Sequence, residues 1–251
     1  MSMIYILFSA MLCANAESTQ SLVYDLSVND AVVGERRVDV TYLPSSKSNP
    51  LGMRRIELWT TLKTTVQGAA VSYTQRCTAQ LSAQKASFVI STQLNDRVTE
   101  LQGKRFKDGN WLVHQISDTD VKKIELRKSQ ISAISLELFD PGRAELWQAE
   151  DSYQLLVLEG LEPFIVRGAW SEKDTALADA TLQAIAAKQL QGNSKEGIFN
   201  AVWSADGMLI DWDIAIMGIT LHADIRSVPK PPNFGEIVSP QKLTGIEEQE
   251  L

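Results

Sequence analysis

The sequence predicts a mainly β protein: a large curved antiparallel sheet or half-barrel, built from hairpins, with one or two short helices. Apolar residues recur mostly at every second position, as in half-buried strands. Turn signals follow one another at short spacing, so neighbouring strands are joined by hairpins. With 251 residues, 44% of them hydrophobic, the chain is long enough to bury one sizeable core.

The first half of the chain supplies the clearest strands and turns. Apolar and polar residues alternate in four segments, which we predict to be strands: Leu22 to Val28, Val38 to Tyr42, Ile56 to Leu62, and Phe88 to Leu94. Dipeptides that favour tight turns separate the strands: Asn29-Asp30, Gln67-Gly68, Asn95-Asp96, Asp108-Gly109 and Asp206-Gly207. A longer surface loop is expected from Pro44 to Gly52.

Two segments favour helix. Ser129 to Phe139 places Ile131, Ile134 and Leu138 on one helical face and is stopped by Asp140-Pro141-Gly142. The alanine-rich stretch from Thr175 to Gln191 fits both periods, and its composition inclines it towards helix.

The two ends differ from the middle. Met1 to Ala16 carries no charged side chain, and its short apolar run from Ile4 to Leu12 is followed by Ala14-Asn15-Ala16, which is typical of a secretory signal peptide cleaved after Ala16. We therefore predict a signal peptide over residues 1–16, a single β-rich domain over 17–228, a Pro-rich acidic tail over 229–251, and a periplasmic or secreted location. No transmembrane segment is expected after removal of the signal.

Composition and cysteine content exclude several classes of function. The formal charge of -7 argues against a nucleic-acid partner. Removal of Cys13 with the signal would leave only Cys77, whose strand-like surroundings favour a small buried residue. No phosphate loop or spaced metal-ligand motif is present in the sequence, so we predict no cofactor.

The last hairpins bring acidic residues together. A turn at Asp206-Gly207 would place Trp203 opposite Ile210 and Ala201 opposite Trp212. The bend at Met217-Gly218 would then place Ile214 opposite Leu221, and one sheet face would collect five polar residues: Asn200, Asp211, Asp213, His222 and Asp224.

Three interpretations of this polar face remain open. It can be an ordinary solvated sheet face. Asp211, Asp213, His222 and Asp224 can bind a divalent cation, or the carboxylates and His222 can serve acid/base catalysis. No catalytic residue is assigned.

The apolar face of the same strands is rich in aromatic residues. Such residues usually form core, but a curved sheet can also enclose an apolar guest. The residues predicted to bind such a guest are Phe199, Trp203, Trp212, Ile214 and Trp111. His114, in the strand after Asp108-Gly109, is expected to share a face with Leu112 and Ile116.

Short segments spread over the chain carry a resemblance: Tyr24-Asp25-Leu26, Val33-Gly34-Glu35-Arg36, Trp59 to Leu62, Leu138 to Pro141 and Ala205 to Leu209. On these the chain resembles an uncharacterised group of secreted bacterial proteins with a curved β half-barrel, similar in outline to periplasmic lipoprotein carriers. The resemblance implies a fold and no catalytic residue.

Three hypotheses of function follow. The first is a non-enzymatic periplasmic carrier that shelters a lipid or other apolar ligand on a concave sheet face. The second is an envelope assembly factor that docks a protein partner through a sheet edge or the Pro-rich tail. The third is a hydrolase or cation-dependent enzyme that uses Asp211, Asp213, His222 and Asp224.

Overall fold

The fold is given by a computed structural model, which describes residues 17–44, 52–82, 85–140, 152–173, 187–193, 198–203, 208–216 and 219–227. These residues form one 15-stranded sheet. The strands are β1 Ser18–Val28, β2 Ala31–Leu43, β3 Met53–Val66, β4 Ala69–Leu81, β5 Ala86–Leu94, β6 Arg97–Arg105, β7 Trp111–Ser117, β8 Val121–Leu126, β9 Ala133–Ile134, β10 Ser152–Val157, β11 Phe164–Lys173, β12 Ala187–Asn193, β13 Ile198–Trp203, β14 Leu209–Ile216 and β15 Ile219–Ser227. Outside the described residues lie the predicted signal peptide, residues 45–51 of the predicted Pro44 to Gly52 loop, the Asp206-Gly207 turn and the tail.

The sheet consists of two meanders that meet in its middle. One runs outward from β1 to β8, the other returns from β9 to β15, and β15 pairs with β1. Every pairing is antiparallel except that of β9 with β10. The prediction of a large antiparallel sheet built from hairpins is therefore confirmed.

The connection between the meanders shows that the sheet is curled. A flat sheet of 15 strands would be about 67 Å wide at ~4.8 Å per strand. The edge strands β8 and β9 are nevertheless joined by the residues between Leu126 and Ala133, which span at most about 25 Å. The two edges must therefore approach each other, and the sheet wraps around its own concave face.

The predicted turns form where the structure describes them. Asn29 and Asp30 both have positive φ, as do Gln67 and Gly68, which is the geometry of a two-residue type I′ hairpin turn. Asn95 has φ 51° in the turn from β5 to β6, and Gly109 has φ 86° between β6 and β7.

The alternating apolar residues form the core on the concave face. Leu22, Tyr24 and Leu26 of β1 are fully buried, and their neighbours along the strand are more exposed, as the period of two requires. Phe88 is buried in the same way because Gly103 lies opposite it in β6. A Cβ atom at Gly103 would lie 2.1 Å from the Phe88 ring, so any other residue there would force this buried ring to move.

The helical predictions need correction. The segment Ser129 to Phe139 is not a helix with one apolar face; it contains two 3-10 turns, η1 Lys128–Gln130 and η2 Ser135–Phe139, with β9 between them. All five residues of η2 are buried, and β9 pairs with β10. Contacts with distant parts of the chain therefore outweigh the local helical pattern of this segment. The predicted end is right: η2 stops at Phe139 before Asp140.

The helical inclination of Thr175 to Gln191 is wrong where the structure describes it. Residues 187–191 belong to β12, which pairs with β11 on one side and β13 on the other. Two ladders of backbone hydrogen bonds outweigh the modest helix propensity of alanine. Residues 174–186 lie outside the described residues.

Candidate functional site

The acidic face predicted from the last hairpins forms as expected. Asp213 pairs with His222, Asp211 with Asp224, and Ile214 with Leu221, while Ala201 pairs with Trp212. The predicted pairing of Trp203 with Ile210 is wrong: a bulge between Val202 and Trp203 places Trp203 opposite Leu209. The extra residue of a bulge shifts the register beyond it.

His222 is the centre of this cluster on the outer face. Its Nδ1 lies 2.6 Å from an Asp213 carboxylate oxygen and 3.6 Å from an Asp211 oxygen, and its Nε2 lies 3.0 Å from Asp224. Asn200 donates a 3.0 Å hydrogen bond to the second oxygen of Asp213. The His222 side chain is 37% exposed, so the cluster is in contact with solvent.

The carboxylates favour the protonated form of His222. Partial burial alone would lower the pKa of His222, but the hydrogen bond to Asp213 and the charges of Asp211, Asp224 and Asp213 outweigh it. The pKa is therefore raised above 6.5. As arranged, the imidazolium offsets part of the charge of the surrounding acids.

Three of the four residues predicted to bind a cation are close enough to share one. One ligand atom from each of Asp211, His222 and Asp224 lies within 4.8 Å of the others, and Asp213 is hydrogen-bonded to the histidine. A carboxylate behind a metal-binding histidine is a common outer-sphere arrangement. A cation that uses His222 as a ligand would have to displace its proton. The cation site stays a prediction.

Among the residues predicted to bind an apolar guest, those whose side chains the structure describes lie on the concave side. Trp203, Trp212, Ile214 and Trp111 are all buried, whereas the side chain of Phe199 lies outside the described residues. The Nε1 of Trp203 donates to the carbonyl of Leu138 at 3.1 Å. Trp111 lies apart from the others, on β7, where it packs against Phe88. Trp203 and Trp212 are on the neighbouring strands β13 and β14.

A row of buried polar residues on the concave face, which we name the polar belt, was not predicted. Its members occupy directly paired positions across five neighbouring strands, from β2 to β6. They are Arg36, Thr60, Gln75, Thr92 and Thr99, all buried. Their signal was in the sequence, because each stands at an inward position of an alternating strand where an apolar residue is expected.

Arg36 is the charged member of the belt. Its side chain is 1% exposed, and its guanidinium lies 3.2 Å from the carboxylate of Glu159. Its Nε donates to the Thr60 hydroxyl at 2.8 Å, and its guanidinium carbon lies 4.5 Å from the centre of the Trp212 ring. Burial of a charge is tolerated only with such partners.

The polar belt and its neighbours hold the loop between β10 and β11, residues 158–163, which we name the inner loop. Gln75 donates to the carbonyl of Leu158 at 3.3 Å. The backbone N–H of Gly160 donates to the Tyr73 hydroxyl at 3.4 Å, and Gln115 donates to the carbonyl of Leu161 at 3.0 Å. Side chains of β4 and β7, and not the backbone of a neighbouring strand, therefore pair with these three backbone groups of the loop.

Two further charged pairs fasten the residues that precede this loop in the chain. Glu137 lies 3.5 Å from Arg105 of β6, and Asp140 lies 3.4 Å from Arg54 of β3. Both carboxylates are buried. Within the described part of the chain, three arginine–carboxylate pairs on the concave face thus join the first meander to Glu137, Asp140 and Glu159.

Cys77 lies on the concave side of β4 and is buried. Burial raises the pKa of its thiol, and the nearby Glu159 charge adds to this effect. The thiol is therefore held in its protonated form, as expected for a structural cysteine.

The described residues define a β-barrel-like protein, a single curled antiparallel sheet with a polar belt on its concave face. No known protein-family profile matches the sequence, and no curated protein matches it either. Among solved structures the chain is similar to a β-barrel-like protein of the domain of unknown function DUF1849 from Brucella abortus. The TM-score is 0.53 with 12% identity, over 84% of this chain and 97% of that chain. This likeness shows the fold, and it agrees with the expectation of an uncharacterised β-rich group.

Among the described residues, no helix is long and apolar enough to cross a membrane.

Proposed function

We propose that the protein is a non-enzymatic binding protein that shelters a lipid or other apolar ligand on the concave face of its sheet, outside the cytoplasm. The observation that carries this proposal is the inner loop. A loop normally lies at the surface, because buried backbone groups need partners, yet Leu158 and Glu159 are buried. We infer that the buried start of this loop, residues 158–160, occupies the place of a ligand and leaves when the ligand binds.

The composition of the concave face supports the proposal. Trp203 and Trp212 supply large apolar surfaces, and the apolar row of Val38, Leu58, Cys77, Ile90 and Leu101 runs beside the polar belt from β2 to β6. Binding sites for small apolar molecules typically combine such walls with a few fixed polar groups. The export signal predicted over residues 1–16 supports the location.

The alternative of docking a protein through a sheet edge receives less support. The edge strand β8 carries Lys122 and Lys123, and lysines on an edge strand oppose pairing with a further strand. The tail version of this hypothesis concerns residues outside the described part.

Native mass spectrometry of the protein purified gently from its own host, followed by organic extraction, tests the proposal. We expect a one-to-one apolar adduct that organic solvent releases. A ligand-free mass, together with no uptake of long-chain probes by the purified protein, would reject the proposal.

Two tryptophans provide a matched comparison for the location of the ligand. Trp212 is buried on the concave side, whereas Trp59 of β3 is 38% exposed. Addition of an apolar ligand should change the tryptophan fluorescence of the Trp59→Phe variant as in the wild type. The Trp212→Phe variant should lose a large part of the change. The opposite pattern would place the ligand on the outer face.

A further inference from the structure

The site proposed above contains a buried positive charge, which bears on the kind of ligand it takes. Arg36 is 1% exposed and its partner Glu159 is 5% exposed. Arginine stays charged in proteins, so whatever replaces the inner loop must bring an anion to Arg36. A purely hydrocarbon ligand would leave this charge buried and unpaired.

Trp212 gives a second, independent indication of a missing acceptor. Its side chain is buried, and within the described part of the chain its Nε1 has no hydrogen-bond acceptor. This donor belongs to the ring over which the Arg36 guanidinium lies. Buried indole N–H groups usually have a partner, and the Glu159 carboxylate paired with Arg36 does not provide one, which leaves this donor for a group of the ligand.

The apolar surroundings limit the rest of the ligand. Next to the polar belt in each strand stands an apolar residue: Val38 beside Arg36 in β2, and Leu58 beside Thr60 in β3. On the other side of the belt, Leu62 and Tyr73 are buried as well. Apolar surface therefore lies on both sides of a charged group bound at Arg36, in the two directions along the strands.

We propose that the ligand is a long-chain carboxylic acid whose carboxylate replaces that of Glu159 on Arg36. The inference rests on the proposed function. Glu159 acts as an internal substitute for the ligand: its carboxylate accepts from Arg36 and from the backbone N–H of Leu158. When the inner loop leaves the concave face, the Glu159 carboxylate becomes hydrated and the carboxylate of the ligand pairs with Arg36. The acyl chain then covers the apolar rows.

The first test compares hexadecanoate with its methyl ester on the wild-type protein, by displacement of an apolar fluorescent probe. We expect the acid to bind at least about tenfold more tightly than the ester, because only the acid supplies an anion to Arg36. Equal binding of acid and ester would overturn the carboxylate inference and leave the proposed function standing. If neither binds, the proposed function fails and the inference fails with it.

The second test uses two buried glutamates that are each paired with an arginine. Glu159→Gln weakens the closed state of the inner loop, so the affinity for hexadecanoate should rise by at least about tenfold. Glu137→Gln, at the Arg105 pair, should leave the affinity unchanged. A loss of acid binding in Glu159→Gln, or an equal gain in both variants, would overturn the inference. If Glu159→Gln does not fold, the comparison of acid and ester decides.

Discussion

The two polar clusters of this protein differ in where they lie and in what their charges do. The His222 cluster on the outer face carries three carboxylates around one imidazole, all partly exposed to water. The Arg36 pair on the inner face is almost completely buried. Water screens the first cluster, whereas the second depends on its protein partners, so equivalent substitutions should have very different effects.

The largest difference is expected from removing one charge of each cluster. Arg36→Met leaves Glu159 buried without its partner, and the free energy of unfolding should fall by about 3–5 kcal/mol. His222→Gln should change it by less than about 0.5 kcal/mol, since its ion pairs are exposed. Urea denaturation measures both values. Equal losses would show that the two clusters do not differ in the way described.

A double substitution sharpens this comparison. Arg36→Met combined with Glu159→Leu removes both buried charges, and it should recover most of the stability lost in the single variant. A double variant as unstable as Arg36→Met would mean that packing around the arginine, and not its charge, matters.

A smaller difference is expected between two tryptophans of the inner face. Trp203→Phe removes the hydrogen bond to the Leu138 carbonyl, whereas the Nε1 of Trp212 has no acceptor among the described residues. Trp203→Phe should therefore cost about 1–3 kcal/mol more than Trp212→Phe. Thermal unfolding of both variants decides the order, and the reverse order would contradict the hydrogen-bond assignment.

A divalent cation at the outer cluster, as the sequence predicts, would bind more tightly as the pH rises. A cation that uses His222 must displace its proton, and the pKa of His222 is raised above 6.5. Below that pKa, the apparent affinity for Zn²⁺ should increase by about tenfold per pH unit, because one proton is released. Calorimetric titration at pH 5.5 and pH 6.5 tests this, with Asp224→Asn as the control. A pH-independent affinity, or one that Asp224→Asn leaves unchanged, would mean that the cation binds elsewhere.

The smallest expected effect is the contribution of His222 to the pH dependence of stability. Because the folded state holds the His222 proton more tightly, the stabilisation is complete below pH 6.5 and is lost as the pH rises through the folded pKa. Solvent screening keeps it below about 0.5 kcal/mol. NMR titration should give a His222 pKa above 6.5 that Asp213→Asn lowers. An unchanged pKa in that variant would rule out the hydrogen bond as a cause.

The sequence predicts the outer cluster better than the inner one for a physical reason. Hairpin register depends on local turn length and on period-two alternation, so the pairing of Asp213 with His222 follows from neighbouring residues alone. The pairing of Arg36 with Glu159 joins residues 123 positions apart, and no local pattern specifies it. The sequence shows the polar residues at inward positions of the strands, but it does not show which distant residues they contact.

The same distinction explains the errors in secondary structure. The helical period in Ser129 to Phe139 is a local signal, whereas the pairing of Ala133 with Leu155 is a contact with a distant strand. The bulge beside Trp203 is also set by the fit of a hairpin to the surrounding sheet. Where distant partners compete with local preference, the local pattern alone gives the wrong answer.

The seam between β1 and β15 has a consequence for folding. Leu26 pairs with Ala223, so the middle of the sheet joins the two most distant parts of the described chain. Each meander can grow by adding hairpins as the chain is synthesised, but the centre can close only after the last strand exists. Such long-range pairing is slow, and β1 keeps one unpaired edge until then. A permuted chain that joins the two ends and opens between β8 and β9 would turn this seam into a local contact, and it should fold faster.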